Sequence, residues 1–126
     1  MKVLLLRCLA VGAAGFVGAV ARFLVAILFG RFTGRFPVGT LVINITGSLF
    51  LGWFLTYAGS RNLSDMVKLS IGVGFVGAYT TFSTYMYDSN KLLEDGSGIK
   101  AMVNLIGSLV LGLLAVRLGI LLARWS

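Results

Sequence analysis

Histidine is absent from the 126 residues and cysteine occurs once, at Cys8. Metal sites built on His or Cys ligands are thereby nearly excluded, and so are catalytic Cys/His and Ser/His pairs. A single cysteine closes no disulfide within the chain, and Cys8 reads as an apolar filler. Acidic residues number only four: Asp65, Glu94 and Asp95 fall between apolar runs and Asp88 near the end of one. No carboxylate therefore lies near the centre of a run, where proton- or cation-coupled carriers usually need one.

Charge of either sign is also scarce, at 12% of residues against 58% hydrophobic, and mean hydropathy is +0.97. That balance is too apolar for a water-soluble domain and suits a chain whose solvent is lipid. At about 20 apolar residues per crossing, the length allows roughly four helices and no separate soluble domain. The net charge of +7 would suggest nucleic acid in a polar protein. Here the basic residues sit mostly between apolar runs, so they read as helix-end anchors and nucleic-acid binding is not expected.

The runs are 3–30, 38–59, 66–93 and 99–122, joined by short polar or glycine-containing connections at 31–37, 60–65 and 94–98. Each run is long enough to cross a bilayer with tilt, and connections this short predict antiparallel neighbours. The first run, interrupted only by Arg7 and Arg22, is longer than a secretory signal core. Residues 1–126 thus read as one four-helix transmembrane domain.

Lysines and arginines normally set orientation. Lys2, Arg7, Arg61, Lys68 and Arg124 fall on one side, Arg31, Arg35, Lys91 and Lys100 on the other, and Arg117 adds little to either. So even a distribution predicts insertion both ways up and head-to-foot pairing of two copies, with a fixed orientation as the alternative. Of the 17 glycines, several recur at small-residue spacing in every run: Gly12, Gly15 and Gly18; Gly47 and Gly52; Gly72, Gly74 and Gly77; Gly107 and Gly112. Small faces let membrane helices approach closely.

The densest polar pattern lies within the third run, Gly74-Phe75-Val76-Gly77-Ala78-Tyr79-Thr80-Thr81-Phe82-Ser83-Thr84-Tyr85. Poor helix formers and hydroxyls at mid-membrane depth predict a helix break. Such a break is tolerated only where it is buried in protein or lines a wet cavity. Its freed carbonyls suit a cation and its half-helix N-terminus an anion. An unbroken helix whose Ser and Thr bond back to the preceding turn is the alternative. Phe82 and Tyr85, three residues apart, share a helix face and offer positive ring edges to a dehydrated anion, or simply pack. Asn44, inside the second run, presents two amide donors, while Asn104 and Ser108 lie one turn apart in the fourth and extend a polar stripe. All three could equally be interhelical glue. Arg22, deep in the first run, must face protein or water, or snorkel to a headgroup.

Along its whole length the chain resembles the bacterial fluoride channels of the CrcB or Fluc type. The resemblance is carried by Arg22, by Gly39-Thr40-Leu41 with Asn44, by Gly77 with Thr80-Thr81-Phe82-Ser83-Thr84, and by Gly107-Ser108-Leu109. It implies an all-α, dual-topology antiparallel homodimer with a broken third helix and two fluoride pathways. Such a protein passively exports, across the bacterial plasma (inner) membrane, fluoride that entered as HF. It implies a central structural Na⁺ held by main-chain carbonyls, by motif those of Gly77 and Thr80 from each subunit. Asn44 and Phe82 would line the pathway with Thr40, Ser83, Thr84 and Ser108 on its polar track, Arg22 near a vestibule, and Tyr85 and Asn104 beside them. Tyr85 departs from the family pattern, which usually has a second Phe; its hydroxyl adds a donor at the ring edge. Asn104 and Gly112 stand where hydroxyl residues are common, which bears on rate more than on selectivity.

A small dual-topology multidrug or cation transporter shares this size and helix count, but it should carry a Glu in its first span, and none is there. A non-transporting, holin-like assembly would have no use for the Gly/Thr/Phe/Ser pattern.

Overall fold

The structure, a computed structural model, describes residues 1–30 and 35–126. Arg31, counted above among the basic residues of one side, lies outside them. Among the described residues the chain is all-helical. The long helices are α1 (Lys2–Gly30), α2 (Val38–Ser60) and α6 (Gly98–Arg124); between α2 and α6 lie α3 (Asp65–Lys68), a π-helical stretch (Leu69–Val76), α4 (Gly77–Tyr79) and α5 (Phe82–Glu94). Three helices, α1, α2 and α6, are long and apolar enough to cross a membrane. Their bounds follow the first, second and fourth apolar runs within one or two residues. The third run is instead divided among α3, the π-helical stretch, α4 and α5, none of which reaches crossing length by itself.

Local chemistry explains where the elements stop. Behind α2, Asn62 takes a left-handed φ of 52°, and the amides of Asn62 and Leu63 turn back to the carbonyls of Gly59 and Ala58. Behind α5, Gly96 does the same at φ 72°, with Gly96 and Ser97 bonding to Leu93 and Leu92. Both are Schellman closures, which need a residue that tolerates positive φ. Ser64 caps α3, its side chain accepting the Val67 amide.

Packing pairs α2 with α6, α1 with the π-helical stretch and α4, and α5 with α6. Glycine makes the two main crossings close. A Cβ on Gly52 would stand 2.5 Å from the Val116 carbonyl oxygen, and one on Gly119 would overlap the Leu49 carbonyl, so α2 and α6 meet backbone to backbone at two levels. Gly18 and Gly74 do likewise for α1 and the π-helical stretch, against Phe75 and Val11. On α2 the Phe50 ring sits 5.9 Å from Phe54 and 6.1 Å from Phe75 of the π-helical stretch. The buried core is thin, with Ile43, Phe54, Val76 and Leu92 among its large members, while Leu4, Leu5, Phe16, Phe23, Leu109 and Leu113 on α1 and α6 stay exposed. Apolar side chains on the outside are what a lipid-facing surface requires.

Candidate functional site

The site is built on two extended residues between α4 and α5. Thr80 has ψ 157°, and Thr81 has φ −149° and ψ 120°. The Thr80 amide and hydroxyl both donate to the Val76 carbonyl, each at 2.9 Å. Thr81 finds its partner on α2: its amide donates to Asn44 Oδ1 at 2.8 Å, and Asn44 Nδ2 donates to the Thr81 carbonyl at 2.9 Å. The carboxamide therefore stands in for a neighbouring peptide, which is how a non-helical stretch keeps its polar groups satisfied away from water. Thr81, 7% exposed, also caps α5, its Oγ1 accepting the Thr84 amide at 3.2 Å.

Carbonyls at the break, Gly77 and Thr80 among them, lose their helical donors as a result. The amides four residues beyond Gly77 and Thr80 are those of Thr81 and Thr84, and these bond to Asn44 Oδ1 and Thr81 Oγ1 instead.

Two cavities adjoin this point and a third adjoins the second of them. The first, about 450 Å³, is lined by Asn44, Thr80, Thr81, Phe82, Tyr85 and Ser108. The second, about 300 Å³, has Arg22, Thr40, Thr81 and Thr84 on its wall. The third, about 540 Å³, carries Arg35, Thr40, Asp88, Lys91 and Asp95. Thr81 is a shared wall of the first two and Thr40 of the last two. The Phe82 and Tyr85 rings meet edge-on, centroids 6.0 Å apart at 63°. Phe82 is exposed and Tyr85 buried.

The structure thus brings Arg22, Thr40, Asn44, Phe82, Thr84, Tyr85 and Ser108 around linked cavities, and sets two expected residues apart. Ser83 is exposed and lines none of the three. Asn104 is buried behind the wall, donating from Nδ2 to Ser89 Oγ at 2.9 Å, while Ser89 Oγ donates to the Tyr85 carbonyl at 2.8 Å. The Tyr85 hydroxyl, read from sequence as an added donor at the ring edge, donates to the Leu105 carbonyl at 2.6 Å and is used up there. Asn44, by contrast, keeps one of its two amide hydrogens free.

Three participants were not singled out from sequence as site residues. Thr81 is the hub, signalled only by its place three residues before Thr84 at a helix start. Asp88 accepts a 2.7 Å bond from the Thr40 hydroxyl, a pairing 48 residues apart with no local signal. Ser89 lies one turn from Tyr85, the spacing of serine back-bonding.

A family model described as CrcB-like protein, Camphor Resistance (CrcB), matches residues 9–120. Curated relatives are similar over nearly the whole chain. The fluoride-specific ion channel FluC 1 of Nitrobacter hamburgensis is 48% identical over 118 residues, 92% of this chain and 94% of that protein. The fluoride-specific ion channel FluC of Chlorobium chlorochromatii is 43% identical over 118 residues, 93% of this chain and 92% of its own length. That of a Synechococcus strain is 44% identical over 117 residues, covering 91% and 88%. With a family model spanning all but its ends and relatives at this identity, the chain belongs to the CrcB-like protein family.

Proposed function

We propose that the protein is a fluoride-selective ion channel, not an enzyme, that lets fluoride leave the cell passively across the bacterial plasma membrane. The relatives named above as fluoride-specific channels support this. The observation that carries it in this chain is the series of adjoining cavities whose shared walls are Thr40 and Thr81, with Arg22 on one and the Phe82 and Tyr85 rings on the next. Fluoride is small and strongly hydrated, so a pore must replace its water with close donors and still release it. Ser108 Oγ, the spare Asn44 amide hydrogen and the positive ring edges are such donors, and none is a fixed cation that would hold the ion. Thr84 and Arg22 serve the approach, and Ser83, exposed on this chain, serves from its outer face.

In this reading α3 through α5 together form a fourth crossing, broken at Thr80 and Thr81, and the chain is one domain that pairs head to foot with a second copy. The near-even split of basic residues supports that pairing, and the exposed Phe82 supports a pathway completed by the partner. A Na⁺ at the dimer centre fits the donors present. Gly77 and Thr80 are among the residues at the break whose carbonyls lose their helical donors, and hard carbonyl oxygens of unwound segments suit that ion. Among the described residues no cluster of His, Cys, Asp and Glu could hold a metal, which leaves carbonyls as the donor set. Bound there, Na⁺ would supply positive charge and hold two breaks together.

Fluoride efflux from liposomes carrying the purified protein, followed with fluoride and chloride electrodes, tests the reading. Rapid fluoride release without chloride is expected; no release of either from folded protein overturns it.

A further inference from the structure

Two buried polar atoms of α6 have no hydrogen-bond partner among the described residues, Asn104 Oδ1 and Ser108 Oγ. Their residues lie one helical turn apart on one face. Asn104 is 1% exposed, and hydrogen-bond chemistry determines which of its atoms is unpaired. The one hydroxyl proton of Ser89 goes to the Tyr85 carbonyl, so Ser89 Oγ can only accept, and the group facing it must be the Asn104 NH₂. The orphan is therefore the carbonyl oxygen, an acceptor. Ser108 would ordinarily bond back to the carbonyl three or four residues earlier, that of Leu105 or Asn104. It does neither, and the Leu105 carbonyl accepts the Tyr85 hydroxyl.

A buried acceptor left unpaired loses its hydration without return. Fluoride against Ser108 would satisfy the hydroxyl and leave Asn104 Oδ1 facing a negative charge. A cation would satisfy Oδ1, but its desolvation would cost heavily and it would hold the anion in the neighbouring cavity instead of releasing it. Water meets both demands, since its two hydrogens can go to the two oxygens, and buried waters sit where polar groups lack partners. We infer that one resident water bridges Asn104 Oδ1 and Ser108 Oγ. By donating to Ser108 it turns that hydroxyl's own proton into the cavity shared with Asn44, Phe82 and Tyr85. Asn104 is then a positioning residue acting through the water. The water stands on the orphaned atoms alone; its effect on transport rests on the fluoride reading above.

The direct test is a high-resolution crystal structure of the unaltered protein. Density for a water within hydrogen-bond distance of both oxygens is expected, and a dry site overturns the inference. The functional test compares fluoride efflux for wild type, Asn104→Leu, Ser108→Ala and the double variant. Each single change is expected to lower flux about tenfold, the scale of one hydrogen bond to an anion, and the double variant to lose no more than Ser108→Ala. Wild-type flux in Asn104→Leu, or losses that multiply to about a hundredfold as two independent contributions would, overturns the coupling. A wild-type protein that passes no fluoride sinks the channel reading instead, and the crystal structure still decides the water.

Discussion

Asn44 and Thr81 hold each other through two reciprocal hydrogen bonds, Thr81 N–H to Asn44 Oδ1 at 2.8 Å and Asn44 Nδ2 to the Thr81 carbonyl at 2.9 Å. A side chain of α2 thereby takes the place of the helical partners that Thr81 gives up. Asn44→Asp keeps the acceptor, removes the donor and sets a carboxylate beside a carbonyl and the fluoride cavity. Unit charges about 4 Å apart repel by about 4 kcal/mol at an effective dielectric near 20, so fluoride efflux should fall at least tenfold (about 1.4 kcal/mol). Size-exclusion chromatography should show assembly retained, and undiminished flux would remove Asn44 from the pathway.

Thr81 contributes separately through its hydroxyl, which caps α5 at the Thr84 amide. Loss of such a cap costs about 1 kcal/mol. Thr81→Ala should lower thermal stability in detergent by that order, and Thr81→Ser, which keeps the oxygen, should restore most of it. Equal melting of the two variants would show that the cap contributes nothing.

Tyr85 donates to the Leu105 carbonyl from a buried position. Tyr85→Phe removes one neutral hydrogen bond, about 0.5–1.5 kcal/mol, and leaves the ring edge toward Phe82. Stability should drop by that amount while discrimination against chloride persists. Chloride leak through the variant would mean that the hydroxyl, rather than the ring, sets selectivity.

Gly119 meets α2 backbone, its added Cβ overlapping the Leu49 carbonyl and lying 2.8 Å from the Trp53 amide nitrogen. Backbone cannot swing aside as a side chain does, so Gly119→Ala should destabilise by about 1–3 kcal/mol. Gly59→Ala, with nothing within 4 Å of the new methyl, is the matched control and should be neutral or slightly stabilising. Comparable losses in both would place the cost in helix backbone rather than in the crossing.

Much of the architecture was legible along the chain. The first, second and fourth apolar runs end within one or two residues of α1, α2 and α6, because hydropathy and turn chemistry are local properties that add along the sequence. The glycine-containing connection 94–98 marked the end of α5 for the same reason. The Gly/Thr/Ser pattern of 74–85, a composition that competes poorly for helix, contains the extended residues Thr80 and Thr81 without marking their position within it.

What each polar side chain is left free to do was not legible. Asn44, Thr40, Tyr85 and Asn104 all read as donors available to a passing ion. The Thr40 and Tyr85 hydroxyl protons and one amide hydrogen each of Asn44 and Asn104 are committed to Asp88, the Leu105 carbonyl, Thr81 and Ser89, partners 48, 20, 37 and 15 residues away. Composition and periodicity by themselves determined that this is a membrane chain of long apolar helices with a polar interruption in its third run. Only the tertiary structure decided which oxygens and amides remain unspent there, because a hydrogen bond is satisfied by whatever the fold brings within about 3 Å, and that is a property of pairs, not of positions.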